Sequence, residues 1–249
     1  MSRRRTDLEY RGAEDAEIDC LVLWSRPVDD ERLRALLDED ERARYARLVH
    51  PEDRARFVTG RALAKTTIGR HLGIPPRELR FESRCRHCGG PHGKPCAPGI
   101  PVNFSLSHSG DRVVFCMAEG VETGVDVERI VVRDFERLAP RVLSSAEISE
   151  FETIAPEERM HAYYRYWTRK EALLKAVGRG LDSPMPQITV TGPEQSAGLV
   201  EWNGEFAESA FTLATLYPGP GYAAALAIGG GGRIAVTERV VGDPCSLVA

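Results

Sequence analysis

The sequence predicts an α+β protein built of two similar halves. Three observations predict it: short strands and longer helical periods both occur, each part of the chain mixes one or two helices with short strands, and the element order restarts at Gly120. No repeat is visible residue by residue, so the pairing of halves rests on element order. It divides the chain into a tail over 1–15, a first half over 16–119 and a second over 120–249.

Ile18 to Trp24 reads as the opening strand. Glu31 to Leu48 reads as one helix, with Leu33, Leu36, Leu37, Tyr45 and Leu48 at helical spacing among charges. Arg54 to Leu72 reads as the next, carried by Phe57, Leu63, Ala64 and Ile68 and stopped by Gly73 before Pro75 and Pro76. Cys85 to Pro101 is dominated by Cys, Gly and Pro and reads as loop. Ser105 to Gly110 reads as a serine- and glycine-rich turn beside an apolar strand, Val113 to Ala118. In the second half Gly124 to Glu128 alternates as a strand, and Ser144 to Phe151 and Glu157 to Val177 are helical. Ile188 to Thr191, Phe211 to Tyr217 and Tyr222 to Ile228 read as strands, the last two joined by a turn over Pro218 to Gly221.

Bulk composition excludes several function classes. A net charge of −4 gives no general attraction to nucleic acid. No apolar run approaches the roughly 18 residues of a membrane span. The basic start, Arg3 to Arg5, leads into Asp7 and Glu9 rather than an apolar stretch, so a frayed tail rather than a signal peptide is expected. Six cysteines are too few for a disulfide scaffold in 249 residues; Cys20 and Cys116 lie in apolar runs as core residues, and a cytoplasmic location is expected. Only four of 33 basic residues are lysines: Lys65, Lys94, Lys170 and Lys175. Three of them fall in the motifs below, where a compact cation able to share its proton differs from an arginine.

Four segments carry chemistry. On the strand Gly124 to Glu128, Asp126 and Glu128 point to one face while Val125 and Val127 point to the other. Two like charges roughly 5–6 Å apart repel by about 3 kcal/mol at an effective dielectric of 20, so water or a cation must separate them. The pair alone also fits a solvated strand face. On the second long helix Trp167, Glu171 and Lys175 form one i, i+4 stripe, a pattern that also serves as surface pairing. The segment Ser105 to Gly110, with Ser107 and His108, supplies hydroxyl and imidazole groups suited to a phosphate. His92-Gly93-Lys94-Pro95 combines a close-approach glycine with a cation, and reads equally as an exposed turn.

Taken together in this order, His92 to Pro95, Asn103 to His108, Gly124 to Glu128 and Trp167-x-x-Lys170-Glu171-x-x-x-Lys175 resemble the phosphopantetheinyl transferases of the larger, surfactin-synthetase-activating type. The resemblance spans roughly residues 18 to 230. It implies two α+β halves in pseudo-twofold arrangement with coenzyme A in the cleft between them. It further implies Mg²⁺ on Asp126, Glu128 and Glu171, with Glu171 also the general base toward a carrier serine. Lys175 matches the lysine that contacts the pyrophosphate. Lys94, Ser107 and His108 match coenzyme-contacting positions. Arg44 falls near the expected 3′-phosphate, with Arg56, Arg61 and Arg42 as further candidates. The implied partners are coenzyme A and apo carrier proteins of fatty-acid, polyketide or peptide synthases, with the duplicated halves allowing a monomer.

One feature lies outside that pattern. Cys85-x-x-Cys88, with Cys96 and His87 or His92, resembles half of a zinc ribbon, but no second Cys-x-x-Cys follows. Two rival readings follow: a zinc-bearing nucleic-acid module, opposed by the acidic charge, and a non-catalytic coenzyme A or carrier-binding protein, opposed by the complete set of three carboxylates and Lys175.

Overall fold

The computed structural model describes residues 17–83, 89–90, 93–179, 183–204, 206 and 210–248. The chain runs β1 (Ile18–Ser25), α1 (Glu31–Arg34), α2 (Glu39–Arg47), α3 (Pro51–Leu72), β2 (Val102–Ser109) and β3 (Arg112–Glu119). It continues β4 (Thr123–Arg129), α4 (Phe135–Val142), α5 (Ser145–Thr153), α6 (Pro156–Val177), β5 (Ile188–Val190), β6 (Leu199–Trp202), β7 (Phe211–Thr215), β8 (Tyr222–Gly229) and β9 (Ile234–Val241).

Alternation in the strands sets the layers. In β1, Cys20, Val22 and Trp24 enter one apolar cluster and Leu21 and Leu23 another, so both faces of the strand are covered. β3 divides likewise: Val114, Cys116 and Ala118 to one side, Val113, Phe115 and Met117 to the other. The first sheet has the order β2-β3-β1-β9, antiparallel except where β9 runs parallel to β1. The second has the order β4-β8-β7, both pairs antiparallel. Val125, Val127, Ala224, Leu226 and Ile228 of the second sheet meet Val22, Trp24 and Cys116 of the first, and the two sheets pack face to face. Helix α3 covers the outer face of the first sheet through Leu63, Ala64 and Ile68. Helix α6 covers the second, its Ala172, Leu173 and Ala176 against Ala223, Ala225 and Ala227, where small side chains let the helix approach. The result is helix, sheet, sheet, helix: two like α+β halves back to back.

Several elements differ from the sequence reading. The helix expected over Glu31 to Leu48 is two helices, because Asp38 caps α2 in a reciprocal box with Glu41 and interrupts the helical run. The segment Ser105 to Gly110 is not a turn: residues through Ser109 belong to β2, and the turn is confined to Gly110 and Asp111. Helix α4 and strands β6 and β9 were not anticipated. Strand β9 lies within 120–249 in sequence but beside β1 in space, so the chain's end returns to the first sheet.

Candidate active site

Gly124 decides how closely β4 crosses α6. A Cβ there would lie 2.0 Å from the Ala172 carbonyl oxygen and 2.4 Å from the Ala176 nitrogen, so the strand rides on the helix backbone. Two and four residues along, Asp126 and Glu128 leave β4 on this same α6 side. Helix α6 answers with Trp167, Glu171 and Lys175 on successive turns. All five side chains line one cleft of about 450 Å³.

Serines fix the carboxylates. Among the described residues β2 is an edge strand of its sheet, and β4 has β8 on only one side. The hydroxyls of Ser105, Ser107 and Ser109 accept from the backbone N–H groups of Val125 (3.2 Å), Val127 (3.3 Å) and Arg129 (3.0 Å). They satisfy the free edge of β4 and tie the two halves together. Two of these hydroxyls also donate, Ser107 to Asp126 Oδ1 at 2.9 Å and Ser109 to Glu128 Oε2 at 2.8 Å. Lys175 Nζ completes the group, donating to Asp126 Oδ1 at 2.6 Å and to Ser107 Oγ at 2.8 Å.

Two carboxylate oxygens are left over. Asp126 Oδ2 and Glu171 Oε1 are buried and have no hydrogen-bond partner. Such atoms are costly unless something fills the site. Burial, then the neighbouring Asp126 and Glu128 carboxylates, push the Glu171 carboxyl up to about 7 against the opposing pull of Lys175. Glu128 is raised by burial and then by Asp126, with the Ser109 hydrogen bond working the other way. Among the described residues no three His, Cys, Asp or Glu side chains form a ready cage for a metal ion, and Lys175 holds the Asp126 oxygen instead.

The other wall of the cleft is basic. Arg44 comes from α2 and Arg56 and Arg61 from α3; all three line it with His108 and Ser107. Phe57 is shared by two of the cations, with the Arg44 and Arg61 guanidinium carbons 5.5 and 5.3 Å from its ring centroid. Arg56 is held by the Gly110 carbonyl (3.0 Å) and Asp53 (2.6 Å). Partial desolvation in the cleft lowers the pKa of His108, although the residue stays exposed at its mouth, and the Arg56 and Lys175 charges lower it further. This imidazole favours its neutral form.

Nine of the ten residues singled out in the sequence therefore meet in one cleft: Arg44, Arg56, Arg61, Ser107, His108, Asp126, Glu128, Glu171 and Lys175. Lys94 does not line it. Its ammonium donates to Glu122 (3.0 Å) and to the Ala176 carbonyl near the end of α6 (2.9 Å), while its neighbours Gly93 and Pro95 face the cleft. Arg42 is not among the lining residues either. His87, His92, Cys85 and Cys88 lie outside the described residues; Cys96 is exposed. In sequence, Ser109 has no role beyond membership of the serine-rich segment and Phe57 none beyond an apolar helix position, whereas Ser109 holds Glu128 and Phe57 gathers two arginines. The alternation Ser105, Ser107, Ser109 held the signal for the first, once read as a strand.

Arginines on one wall, and carboxylates with an ammonium on the other, are chemically suited to a polyanion beside an acid–base group. Comparison of the sequence with known proteins agrees. Residues 122–227 match the model of the 4′-phosphopantetheinyl transferase superfamily. The chain is 31% identical over 223 residues to the 4′-phosphopantetheinyl transferase HetI of Nostoc sp., covering 84% of this chain and 88% of that protein. It is 29% identical over 173 residues to the 4′-phosphopantetheinyl transferase Sfp of Bacillus subtilis, covering 68% and 74%. A holo-(acyl-carrier-protein) synthase from Bacillus anthracis, solved in complex with CoA (3′,5′-ADP), superposes with a TM-score of 0.37 at 18% identity over 44% of this chain and 96% of that one. The chain belongs to the 4′-phosphopantetheinyl transferase superfamily and is a transferase of that group.

Proposed function

We propose that the chain transfers 4′-phosphopantetheine from coenzyme A to a serine of an apo carrier protein, releasing 3′,5′-ADP. The observation that carries this reading is the pair of unpartnered buried oxygens, Asp126 Oδ2 and Glu171 Oε1, in a cleft whose facing wall holds three arginines. A donor set of hard carboxylate oxygens suits Mg²⁺, which usually keeps waters and substrate phosphates beside one or two carboxylates. Asp126, Glu128 and Glu171 would hold it, and when bound it supplies neutralisation of the charge that builds on the phosphates.

The chain's own residues do the rest. Arg44, Arg56, Arg61 and the neutral His108 bind and orient the anionic coenzyme. A second cavity of about 740 Å³ shares Arg44 and Arg61 with the cleft and gives the nucleotide end room. Glu171, ionised, takes the proton of the carrier serine as its oxygen bonds to the phosphorus bearing pantetheine. The bond from that phosphorus to the bridging diphosphate oxygen breaks, and Lys175 stabilises the departing 3′,5′-ADP. Lys94, by contrast, supports the cleft wall from behind through Glu122 and Ala176.

Acyl, polyketide and peptidyl carriers are all candidate acceptors, and no helix among the described residues is long and apolar enough to cross a membrane. The proposal is tested by following 3′,5′-ADP release with coenzyme A, an apo carrier and Mg²⁺. Release should require all three and vanish in Asp126→Ala. Release that persists undiminished in that variant at limiting Mg²⁺ contradicts the metal assignment.

A further inference from the structure

The two long helices are built to one plan. Each has 22 residues, opens on proline (Pro51, Pro156) and closes on a left-handed glycine (Gly73, Gly178). Each carries a fully buried lysine as its fifteenth residue, Lys65 and Lys170. Each lysine reaches into the capping box of the short helix before it. Lys65 Nζ lies 2.6 Å from Glu41 Oε2, 3.4 Å from Asp38 Oδ2 and 3.0 Å from the Leu36 carbonyl. Lys170 donates to Glu147 Oε2, to the Val142 carbonyl at 2.7 Å and to the Met185 carbonyl at 3.2 Å. Both are the same staple, one in each half.

They differ in what the glutamate does with its other oxygen. Glu147 Oε1 accepts from the Val190 N–H at 2.8 Å, which leaves the second staple closed. Glu41 Oε1 has no hydrogen-bond partner; it lies 3.2 Å from Arg61 Nε, and Arg61 Nε and NH1 have none either. The Glu41 and Arg61 side chains are only 6% and 7% exposed, yet both line the 740 Å³ cavity. Arg61 also lines the cleft, and shares the Phe57 ring with Arg44. Two guanidinium groups gathered on one ring repel, and a buried guanidinium with unused N–H groups is set up for an anion.

We propose that Lys65 and Glu41 are positioning residues that aim Arg61 at a terminal phosphate of the coenzyme. They thereby set the preference for coenzyme A over its 3′-dephospho form. Lys65 fixes Glu41, and Glu41 holds Arg61 at the junction of the two cavities. This rests on the coenzyme A reading of the cleft. The second-half staple is the closed form of the device, and the first-half staple is the form opened to a ligand.

The test is equilibrium binding of coenzyme A and 3′-dephospho-coenzyme A, by calorimetry, to wild type, Arg61→Ala, Glu41→Gln and the double variant Glu41→Gln/Lys65→Met. Glu41→Gln keeps side-chain size and a cap acceptor but leaves the Lys65 ammonium with only Asp38 and the Leu36 carbonyl, whereas the double variant removes both charges of the pair together and is the foldable control. Arg61→Ala should cut the preference for coenzyme A by about tenfold or more, the scale of a lost charge-assisted hydrogen bond. The Glu41 and double variants should cut it by several-fold, with affinity for the dephospho form unchanged. A merely structural defect would weaken both ligands in parallel and leave their ratio intact; that result overturns the proposal. A ratio lost in Arg61→Ala but kept in the other variants overturns the positioning role and leaves the coenzyme reading standing. No preference in the wild type overturns the proposal, and no binding of either form overturns the coenzyme reading as well.

Discussion

At the scale of residues, the proposed function gives Glu171 two jobs, metal ligand and base, which respond differently to Mg²⁺. A ligand can be partly replaced by raising free Mg²⁺, whereas a lost base cannot. Glu171→Gln is therefore expected to bind coenzyme A and, at saturating Mg²⁺, to remain slowed by about 10²-fold or more. Full recovery of the rate with Mg²⁺ rules out the base role. The pKa of about 7 gives a second handle. The folded state holds this proton to a higher pH than the unfolded chain, so between the ordinary glutamate range and about 7 the native state binds more protons. The metal-free protein loses stability as pH rises through that window, and Glu171→Gln should lack this part of the slope in urea titrations from pH 4.5 to 8. Parallel curves for the two proteins contradict the burial argument. Lys175→Arg keeps a charge but loses the compact ammonium that lies between Asp126 and Ser107, and turnover should fall more than coenzyme affinity. Equal activity of that variant removes any special need for lysine.

At the scale of elements, the crossing of β4 on α6 holds the site together. Gly124→Ala places a methyl group against helix backbone rather than against a movable side chain. It should cost about 2–3 kcal/mol or more in urea unfolding and abolish transfer. A variant as stable and active as wild type means that the crossing can relax. Ser109→Ala leaves the Arg129 N–H and the Glu128 carboxylate without their hydroxyl; about 1 kcal/mol of stability and part of the turnover rate should go with it. Unchanged rate and stability would leave the serine ladder without consequence. How much of this was legible follows from how local each signal is. The valine–carboxylate alternation of β4 and the Trp167, Glu171, Lys175 stripe are local periods that put the side chains on one face, and that face lines the cleft. Strand β9 owes its place to parallel pairing with β1 more than 200 residues earlier, and nothing nearby announces it. The break between α1 and α2 was readable in Asp38 and Glu41, whose capping box outweighed the continuing helical period. The Ser105 to Ser109 run was read for its turn-forming composition, whereas its alternation is what pairs it with β3. Motif position alone points Lys94 at the coenzyme, whereas in space its ammonium reaches Glu122 and the end of α6.

At the scale of the whole molecule, two like halves meet sheet against sheet, and each lines the cleft with its own set of residues. The second half supplies Asp126, Glu128, Glu171 and Lys175; the first supplies Arg44, Arg56, Arg61 and His108. In the proposed function the reacting groups and the coenzyme clamp thus sit on different halves, joined by the serine ladder from β2 to β4. The cleft exists only because both are present. The central claim is that this shared cleft moves phosphopantetheine rather than merely binding its donor. Intact-mass spectrometry of an apo carrier protein, incubated with the enzyme, coenzyme A and Mg²⁺, tests it most directly. The account requires a gain of one phosphopantetheine on the carrier serine, absent with Asp126→Ala or a carrier whose serine is alanine. Tight binding of coenzyme A with no mass gain on acyl, polyketide or peptidyl carriers would contradict it.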